Sequence, residues 1–296
     1  MKRPAFILAA LDHGSADAGL VTKASQLAAR FDARLELFLC DAEHAYAMKH
    51  EYEPSHNVEF RRDCMDHALA YLTDVGRTLK LPHERVSVSA ACESPLYEGI
   101  VGKVQKCQPE LVMKSAGGLE SGSWRILDSN DWQLMRRCPA TLMLNRGRIW
   151  RTRPRIAAAL DVSAEETPGL AGNILETAEA LCSVYDGELH VIYSAAPGVE
   201  QKTRDAHVLT LRKLAQASNV GSDRIHILDG QPEATLPALV AEKAYDVLVM
   251  GALTHKPGAV ALVGTLTMKL VETINSDFVL VKADPGAAQE SIRIPP

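Results

Sequence analysis

The hydrophobic pattern of the chain occurs in two copies, each alternating short apolar runs with amphipathic stretches. In the second half, residues 155–161 form an apolar run, and Leu175, Ala178, Leu181 and Tyr185 follow at spacings of three and four. The run is typical of a strand covered on both faces, and the spacing is typical of one face of a helix. Further strands are predicted at 189–193, 224–228, 246–250 and 278–281, and helices at 205–218, 232–244 and 265–274.

The first half has the same alternation. Its strands are predicted near 5–11, 35–40, 85–90, 110–114 and 140–144, and its helices near 16–30, 59–79, 95–107 and 129–137. Strands that alternate with helices of this length predict right-handed crossovers and parallel sheets. The predicted fold class is therefore α/β, with two tandem open parallel-sheet domains that are doubly wound and Rossmann-like.

Matching residues place the two copies in register. The run at 6–12 ends in Asp12, the run at 155–161 ends in Asp161, and Pro95 corresponds to Pro232. The offset is 149 residues at the aspartates but 137 at the prolines, so the first half carries extra residues, which we place around 43–57. The predicted domains are 1–147 and 155–283, followed by a tail at 284–296.

Composition excludes several classes of function. Residues 1–150 carry 19 basic and 19 acidic side chains, and the whole chain has a net charge of −5, so no basic domain is present to bind nucleic acid. No apolar stretch approaches the roughly 20 residues that cross a bilayer, so we expect no membrane insertion. Six cysteines without disulfide spacing favour a cytoplasmic location.

The loop after the fourth strand of the second half carries the clearest motif. Gly251 ends that strand, and Gly264-Thr265 opens the next helix, whose unpaired N–H groups favour an anion. This spacing strongly resembles the nucleotide-binding motif of the universal stress protein family, and residues 131–139 resemble its tandem subgroup. The resemblance implies that ATP or ADP binds in the second half, beside Asp161 and the backbone near Ile192 and Tyr193.

One position of the motif departs from the family pattern. The family has a second glycine where this chain has Thr254, and a β-branched residue there is costly if a phosphate or a positive φ is required. His255 and Lys256 follow directly, and as a cationic pair they could hold phosphates by charge. They could equally be solvated loop residues.

The first half departs further from the family pattern. We place Lys114 at the position of Gly251, and Asp128 and Asp131 at the helix start where the glycine and hydroxyl would be. Two carboxylates at a helix N-terminus stabilise the helix but repel a phosphate. We therefore expect no triphosphate in the first half, which is either a structural copy or a cleft for an uncharged or apolar ligand.

A metal site receives little support from the sequence. Cys40 with His44, and Cys64 with His67, are potential ligand pairs, but their spacing matches no zinc module, and cysteine on a helix face usually belongs to the core. We assign no metal ligand and regard zinc as an unfavoured interpretation. No catalytic residue is assigned either, since the usual nucleophile and phosphate-loop motifs are missing.

The function that these residues favour is a cytoplasmic stress-response protein that binds a nucleotide or small molecule without catalysis. Two alternatives stay open: a carrier or sensor of an apolar metabolite or lipid precursor in the first-half cleft, and a slow nucleotide hydrolase. The resemblance also implies pairing through the fifth strands, at 141–144 and 278–281. This predicts an intramolecular pseudo-dimer and leaves a further homodimer and the protein partners open.

Overall fold

The computed structural model describes residues 3–12, 17–50, 57–116, 127–163, 169–252 and 265–282. Two compact units make up the chain, an N-terminal unit at Pro4–Gly147 and a C-terminal unit from Arg148 onwards. Both alternate strands with helices, and this confirms the predicted fold class. The predicted tail at 284–296 lies outside the described residues.

The N-terminal unit contains five strands and five α-helices in its described part. The strands are β1 (Phe6–Leu11), β2 (Arg34–Cys40), β3 (Val86–Ala91), β4 (Leu111–Ser115) and β5 (Thr141–Asn145). The helices are α1 (Asp17–Phe31), α2 (Ala42–His50), α3 (Asn57–Arg77), α4 (Leu96–Cys107) and α5 (Ser129–Arg137), with a 3₁₀ turn at His83–Arg85.

The C-terminal unit repeats this order with one helix fewer among the described residues. Its strands are β6 (Arg155–Ala159), β7 (Glu188–Ala195), β8 (Ile225–Asp229), β9 (Val247–Gly251) and β10 (Asp277–Val281). Its helices are α6 (Leu170–Tyr185), α7 (Gln201–Ala217), α8 (Pro232–Lys243) and α9 (Thr265–Thr273), with a 3₁₀ turn at Ser222–Arg224.

Strand order places the site in each unit. The N-terminal sheet runs β3-β2-β1-β4-β5, the C-terminal sheet runs β8-β7-β6-β9-β10, and the pairs within each are parallel. In each unit the second and third strands lie on one side of the first strand, and the fourth and fifth lie on its other side. The strand order therefore reverses between β1 and β4, and between β6 and β9. In open α/β sheets, ligands bind at the carboxyl ends of the strands at such a point.

The repeat is preserved in the contacts as well as in the sequence. At the amino end of the N-terminal sheet, the Glu110 carboxylate accepts a hydrogen bond from the Phe6 N–H at 2.8 Å. At the same place in the C-terminal sheet, the Asp246 carboxylate accepts one from the Arg155 N–H at 2.9 Å. The shared arrangement fixes which strand residues are equivalent in the two units.

Two elements differ from the sequence prediction. Helix α2 was not predicted, and it occupies part of the 43–57 segment where the first half has extra residues. Its mixture of alanine, histidine and charged residues gives no clear apolar stripe, so periodicity could not reveal it. Helix α7 begins at Gln201, four residues before the predicted start. Periodicity did not reveal these residues because the first turn is polar and exposed.

Candidate functional site

Carboxyl-end residues of the C-terminal sheet line a cavity of about 360 Å³. Asp161 and Gly251, which follow or end the two strands at the switch point, lie in its wall together with Ile192 and Tyr193 of β7. The structure therefore brings together four of the residues that the sequence marked. Other lining residues come from α7, α8 and α9, among them His207, Pro232, Leu236, Leu266, Thr267 and Leu270.

Polar groups in the cavity wall are concentrated near the end of β7. The Tyr193 hydroxyl lies 2.7 Å from Nδ1 of His207, and the Ser194 hydroxyl lies 2.8 Å from that of Thr235. Burial, and then the nearby charge of Asp161, raise the pKa of Tyr193, so the phenol stays protonated at neutral pH. The cavity thus offers hydroxyl and imidazole groups within an otherwise apolar wall.

The Asp161 side chain holds the start of the following loop. Its Oδ1 atom accepts a hydrogen bond from the Ser163 N–H at 2.9 Å. A carboxylate that already accepts this bond still presents its second oxygen as an acceptor. Asp161 can therefore receive a hydrogen bond from a hydroxyl of a bound molecule.

The phosphate side of the predicted motif is described in part. Gly251 is packed closely, because a Cβ atom built there would lie 3.0 Å from Cδ2 of Leu170. Helix α9 begins at Thr265, and the Thr267 hydroxyl donates to the Gly251 carbonyl at 3.2 Å, which ties the helix start to the strand end. The side chain of Thr265 and the predicted site residues Thr254, His255, Lys256 and Gly264 lie outside the described residues.

The sheet register corrects the predicted equivalence between the two halves. Leu111 pairs with Ile7 and Val247 pairs with Ile156, so Ser115 corresponds to Gly251 and Lys114 corresponds to Met250. The prediction that Lys114 replaces Gly251 was therefore wrong by one residue. Periodicity sets a strand's position only approximately, whereas the hydrogen-bonded ladder sets it to a single residue.

A similar correction applies to the helix that follows. Helices α5 and α9 are both nine residues long, and the 136-residue offset that relates Ser115 to Gly251 also relates Ser129 to Thr265. Ser129, a hydroxyl residue, thus corresponds to Thr265, and Asp131 corresponds to Thr267. Of the two predicted equivalences at the helix start, only that of Asp128 with Gly264 is kept.

Lys114 is buried at the carboxyl edge of the N-terminal sheet, where it forms ion pairs with two carboxylates. Its side chain is 1% exposed, and Nζ lies 3.0 Å from Oδ2 of Asp12 and 3.1 Å from Oδ1 of Asp131. Nζ also donates to the Ser115 carbonyl at 3.0 Å. Burial opposes the charge, but Asp131 and then Asp12 outweigh it and raise the pKa of Lys114, so the amine is charged.

Asp131 links this ion cluster to the start of α5. Asp128 is the N-cap residue, and its side chain accepts the Asp131 N–H at 2.8 Å, while the Asp131 side chain accepts the Asp128 N–H at 3.4 Å. This reciprocal pair is a capping box. The helix start that would face a phosphate therefore carries the chain's own carboxylates, and Asp131 is paired with Lys114.

Comparisons with known proteins agree with this geometry. A model of the Universal stress protein family matches residues 154–282. The C-terminal unit is a universal stress protein domain. Over 94% of its length the chain is 22% identical to universal stress protein E of Photorhabdus laumondii, and the match covers 95% of that protein. The chain thus resembles a tandem universal stress protein across both halves, as the motifs indicated.

Solved structures share the fold over nearly the whole chain. A functionally unknown protein from Pseudomonas aeruginosa PAO1 aligns with a TM-score of 0.74 at 20% identity, covering 97% of this chain and 95% of its own. A universal stress protein from Archaeoglobus fulgidus aligns with a TM-score of 0.68 at 15% identity, covering 94% and 98%. At these identities the likeness establishes the fold.

Sequence reasoning missed several residues of the universal stress protein domain's cavity. His207 lies on α7, which was predicted only as an amphipathic helix, and Met250 and Thr267 were taken as strand and helix positions without a role. Its place one residue before the motif glycine could have marked Met250, although β9 is apolar throughout and shows no alternation. No sequence signal places His207 beside Tyr193, since helix rotation decides that contact.

Two further findings concern the helices and the cysteines of the described residues. No described helix is both long and apolar enough to cross a bilayer. All six cysteines are free thiols, in agreement with the absence of disulfide spacing in the sequence.

Proposed function

We propose that the chain is a non-enzymatic stress-response protein that binds a nucleotide or another small molecule in the C-terminal cavity and acts through ligand-dependent association with other proteins. The observation that carries the proposal is one cavity lined by Asp161, Tyr193 and Gly251, next to the start of α9. This matches the positions that the family motif implies for a ligand. We expect ATP or ADP as the ligand and the cytoplasm as the location.

The chemistry of the wall supports a ligand with an apolar body and polar edges. Ile192, Leu236 and Leu270 supply apolar surface for a ring, while Asp161 and the Tyr193 hydroxyl supply an acceptor and a donor or acceptor. The N–H groups at the start of α9 favour a negative group at the other end. An adenine nucleotide combines these three features.

The N-terminal cleft supports the second candidate, a carrier or sensor of an apolar metabolite. An open cavity of about 410 Å³ lies there among α2, α4 and the start of α5, and its lining is apolar at Ala42, Tyr46, Ala47, Pro95 and Leu96 and polar at Glu43, Ser94, Ser129 and Asn130. No lysine, arginine or histidine is among the described residues that line this cavity, and Glu43 would repel a phosphate. An uncharged ligand suits it better.

Mass spectrometry of small molecules that co-purify with the full chain, followed by calorimetric titration with ATP and ADP, tests the proposal. We expect saturable nucleotide binding, lost in Gly264→Asp because a charge is placed at the start of α9. Gly102→Asp is the control, since a side chain at Gly102 meets open space in α4 of the other unit. Phosphate release in the same samples would favour the hydrolase, and a co-purified apolar molecule without nucleotide binding would favour the carrier.

A further inference from the structure

Three side chains with metal-binding atoms converge in the N-terminal unit, away from the ion cluster around Lys114. They are Asp41, which directly follows β2, His44 on α2 and Cys64 on α3. One ligand atom from each, a carboxylate oxygen, an imidazole nitrogen and a thiol sulfur, lies within 4.8 Å of the other two. The donors come from three different elements and are 3 to 23 residues apart in sequence.

Backbone contacts fix the two donors at the sheet end. The Asp41 N–H donates to the Ala91 carbonyl at 2.8 Å, so it extends the ladder between β2 and β3. The Asp41 carboxylate accepts the His44 N–H at 3.1 Å and also lies 2.7 Å from His44 Nδ1. Asp41 therefore caps the first turn of α2 and aims the imidazole at the same time.

The third donor comes from the buried side of this cluster. Cys64 is 8% exposed and lies on the inner face of α3, where α2 packs against it through Ala45 and Met48 with Phe60. The His44 side chain is 52% exposed, so the cluster is closed by apolar residues on one side and open to solvent on the other. An ion can enter from the open side and meet the thiol at the closed one.

Three other candidate ligands among the described residues are directed elsewhere. The Cys40 thiol donates to the Glu93 carbonyl at 3.4 Å, on the opposite side of the strand from Asp41. The His50 ring packs against Tyr46 at a centroid distance of 4.3 Å, and His67 is exposed on α3. The ligand pairs considered from sequence spacing, Cys40 with His44 and Cys64 with His67, are therefore not the groups that the fold assembles.

We propose that Asp41, His44 and Cys64 bind one zinc ion, with the fourth position open to water. Carboxylate, imidazole and thiolate are the donors that zinc takes in proteins, and three protein ligands with one open position are a common arrangement. Around tetrahedral zinc these donor atoms are about 3.3–3.7 Å apart, given bond lengths of about 2.0–2.3 Å. Zinc binding would draw the most distant donors, which are within 4.8 Å, together by about 1 Å, and would separate Asp41 Oδ2 from His44 Nδ1, which are 2.7 Å apart, by about 0.6 Å.

The site would join α2 to the rest of the N-terminal unit. Among the described residues, α2 has no counterpart in the C-terminal unit, where β7 leads to α7 through residues 196–200. Zinc bound to Asp41 at the sheet, His44 on α2 and Cys64 on α3 would hold the additional helix at the edge of the N-terminal cleft. The proposed nucleotide site in the other unit does not depend on it.

Cobalt(II) is the spectroscopic probe for this proposal, used with the reduced full chain and followed by displacement with zinc. We expect one ion per chain, a sulfur-to-cobalt charge-transfer band, and a melting temperature that rises with added zinc. Cys64→Ser should remove the band and weaken zinc binding by at least about 100-fold, and His44→Gln should weaken it to a similar extent. Cys107→Ser and His67→Gln are the matched controls and should bind as the parent does.

Three results would overturn the proposal. They are a parent protein that shows no charge-transfer band at saturating cobalt, a band that survives Cys64→Ser, and an equal loss of zinc binding in Cys107→Ser. If Cys64→Ser lowers the urea midpoint of the apoprotein, zinc binding by His44→Gln becomes the deciding measurement. The His44 side chain is half exposed, so its replacement leaves the core intact. Unchanged zinc affinity in His44→Gln would then contradict the assignment.

Discussion

At one equivalent strand position, the N-terminal unit has a charged residue and the C-terminal unit has an apolar one. In the N-terminal unit, Lys114 at the end of β4 forms ion pairs with Asp12 and Asp131. In the C-terminal unit the corresponding residues are Met250, Asp161 and Thr267, and all three line a cavity. The aspartate after the first strand is common to both. Two substitutions, a lysine for a methionine and an aspartate for a threonine, thus distinguish strand ends that carry a buried ion cluster from strand ends that line a cavity.

Under the proposed function, this comparison explains how an anion site in a duplicated domain can be lost while the fold is kept. An anionic ligand requires unpaired N–H groups at a helix start and space at the strand ends. At the start of α5, the Asp128 side chain already accepts the Asp131 N–H and the Asp131 side chain accepts the N-cap N–H, while the Lys114 side chain is buried at the strand end. The N-terminal unit keeps the fold, and under the proposed function its own charged groups stand where a nucleotide would bind.

Breaking the ion cluster should have the largest effect. Lys114→Met removes the lysine that forms an ion pair with Asp131, which is fully buried. Removing one partner of a buried ion pair typically costs about 3–5 kcal/mol, so we expect a loss of that size in the N-terminal unit. Urea unfolding, followed by a probe in that unit, measures it.

The double variant Lys114→Met/Asp131→Thr is the matched control for that loss. It copies the residues of the C-terminal unit, so cation and buried carboxylate are removed together. We expect it to be clearly more stable than Lys114→Met alone. Equal instability of the two variants would show that packing of the lysine stem, rather than the unpaired charge, explains the effect.

Low pH should lower the stability of the C-terminal unit through a histidine, at another position where the two units carry different residues. Sheet register relates His190 to Glu36, which pairs with Lys103, whereas His190 stacks on His226. Burial, and then His226, lower the pKa of His190 from 6.5 to about 4. The folded state therefore binds fewer protons than the unfolded chain between these values, and stability should fall as pH drops from 6.5 towards 4.

We expect this loss to be about 2 kcal/mol. His190→Phe keeps the aromatic contact with Tyr245 but cannot titrate. Urea midpoints at pH 7 and pH 4.5 should therefore differ less in this variant than in the parent. An identical pH response in both would assign the acid sensitivity to other groups.

A smaller effect is expected at the position where the motif departs from the family. If Thr254 obstructs the approach of a phosphate, Thr254→Gly should tighten nucleotide binding about tenfold, or about 1.4 kcal/mol. Calorimetry with ADP measures the change, and Thr254→Ser is the control because it keeps a side chain. Weaker binding in the glycine variant would mean that the threonine contributes a contact.

Much of the fold could be predicted from the sequence because it depends on local pattern. Apolar runs and helix periodicity fixed the ten strands of the two sheets, and the repeated Asp12 and Asp161 fixed the relation of the halves. The boundaries that failed are those without a pattern, such as α2 and the polar first turn of α7.

The candidate site could be predicted less completely, because its contacts are distant in sequence. Asp161, Tyr193 and Gly251 follow from their positions at strand ends, and the structure brings them to one cavity. By contrast, Lys114 meets Asp12 across 102 residues, and a charged residue in a strand gives no indication of its partner. The cluster of Asp41, His44 and Cys64 depends on α2, so it could not be assembled before that helix was known.

The most direct measurement rebuilds the filled cleft in the C-terminal unit. Met250→Lys/Thr267→Asp places a lysine beside Asp161 and a carboxylate at the third position of α9, as in the N-terminal unit. We predict that the parent chain binds ATP or ADP at one site by calorimetry, that this variant stays folded, and that its binding falls by at least about 100-fold, or about 2.7 kcal/mol. Nucleotide binding that persists in the folded variant, or two equal sites in the parent, would contradict the account.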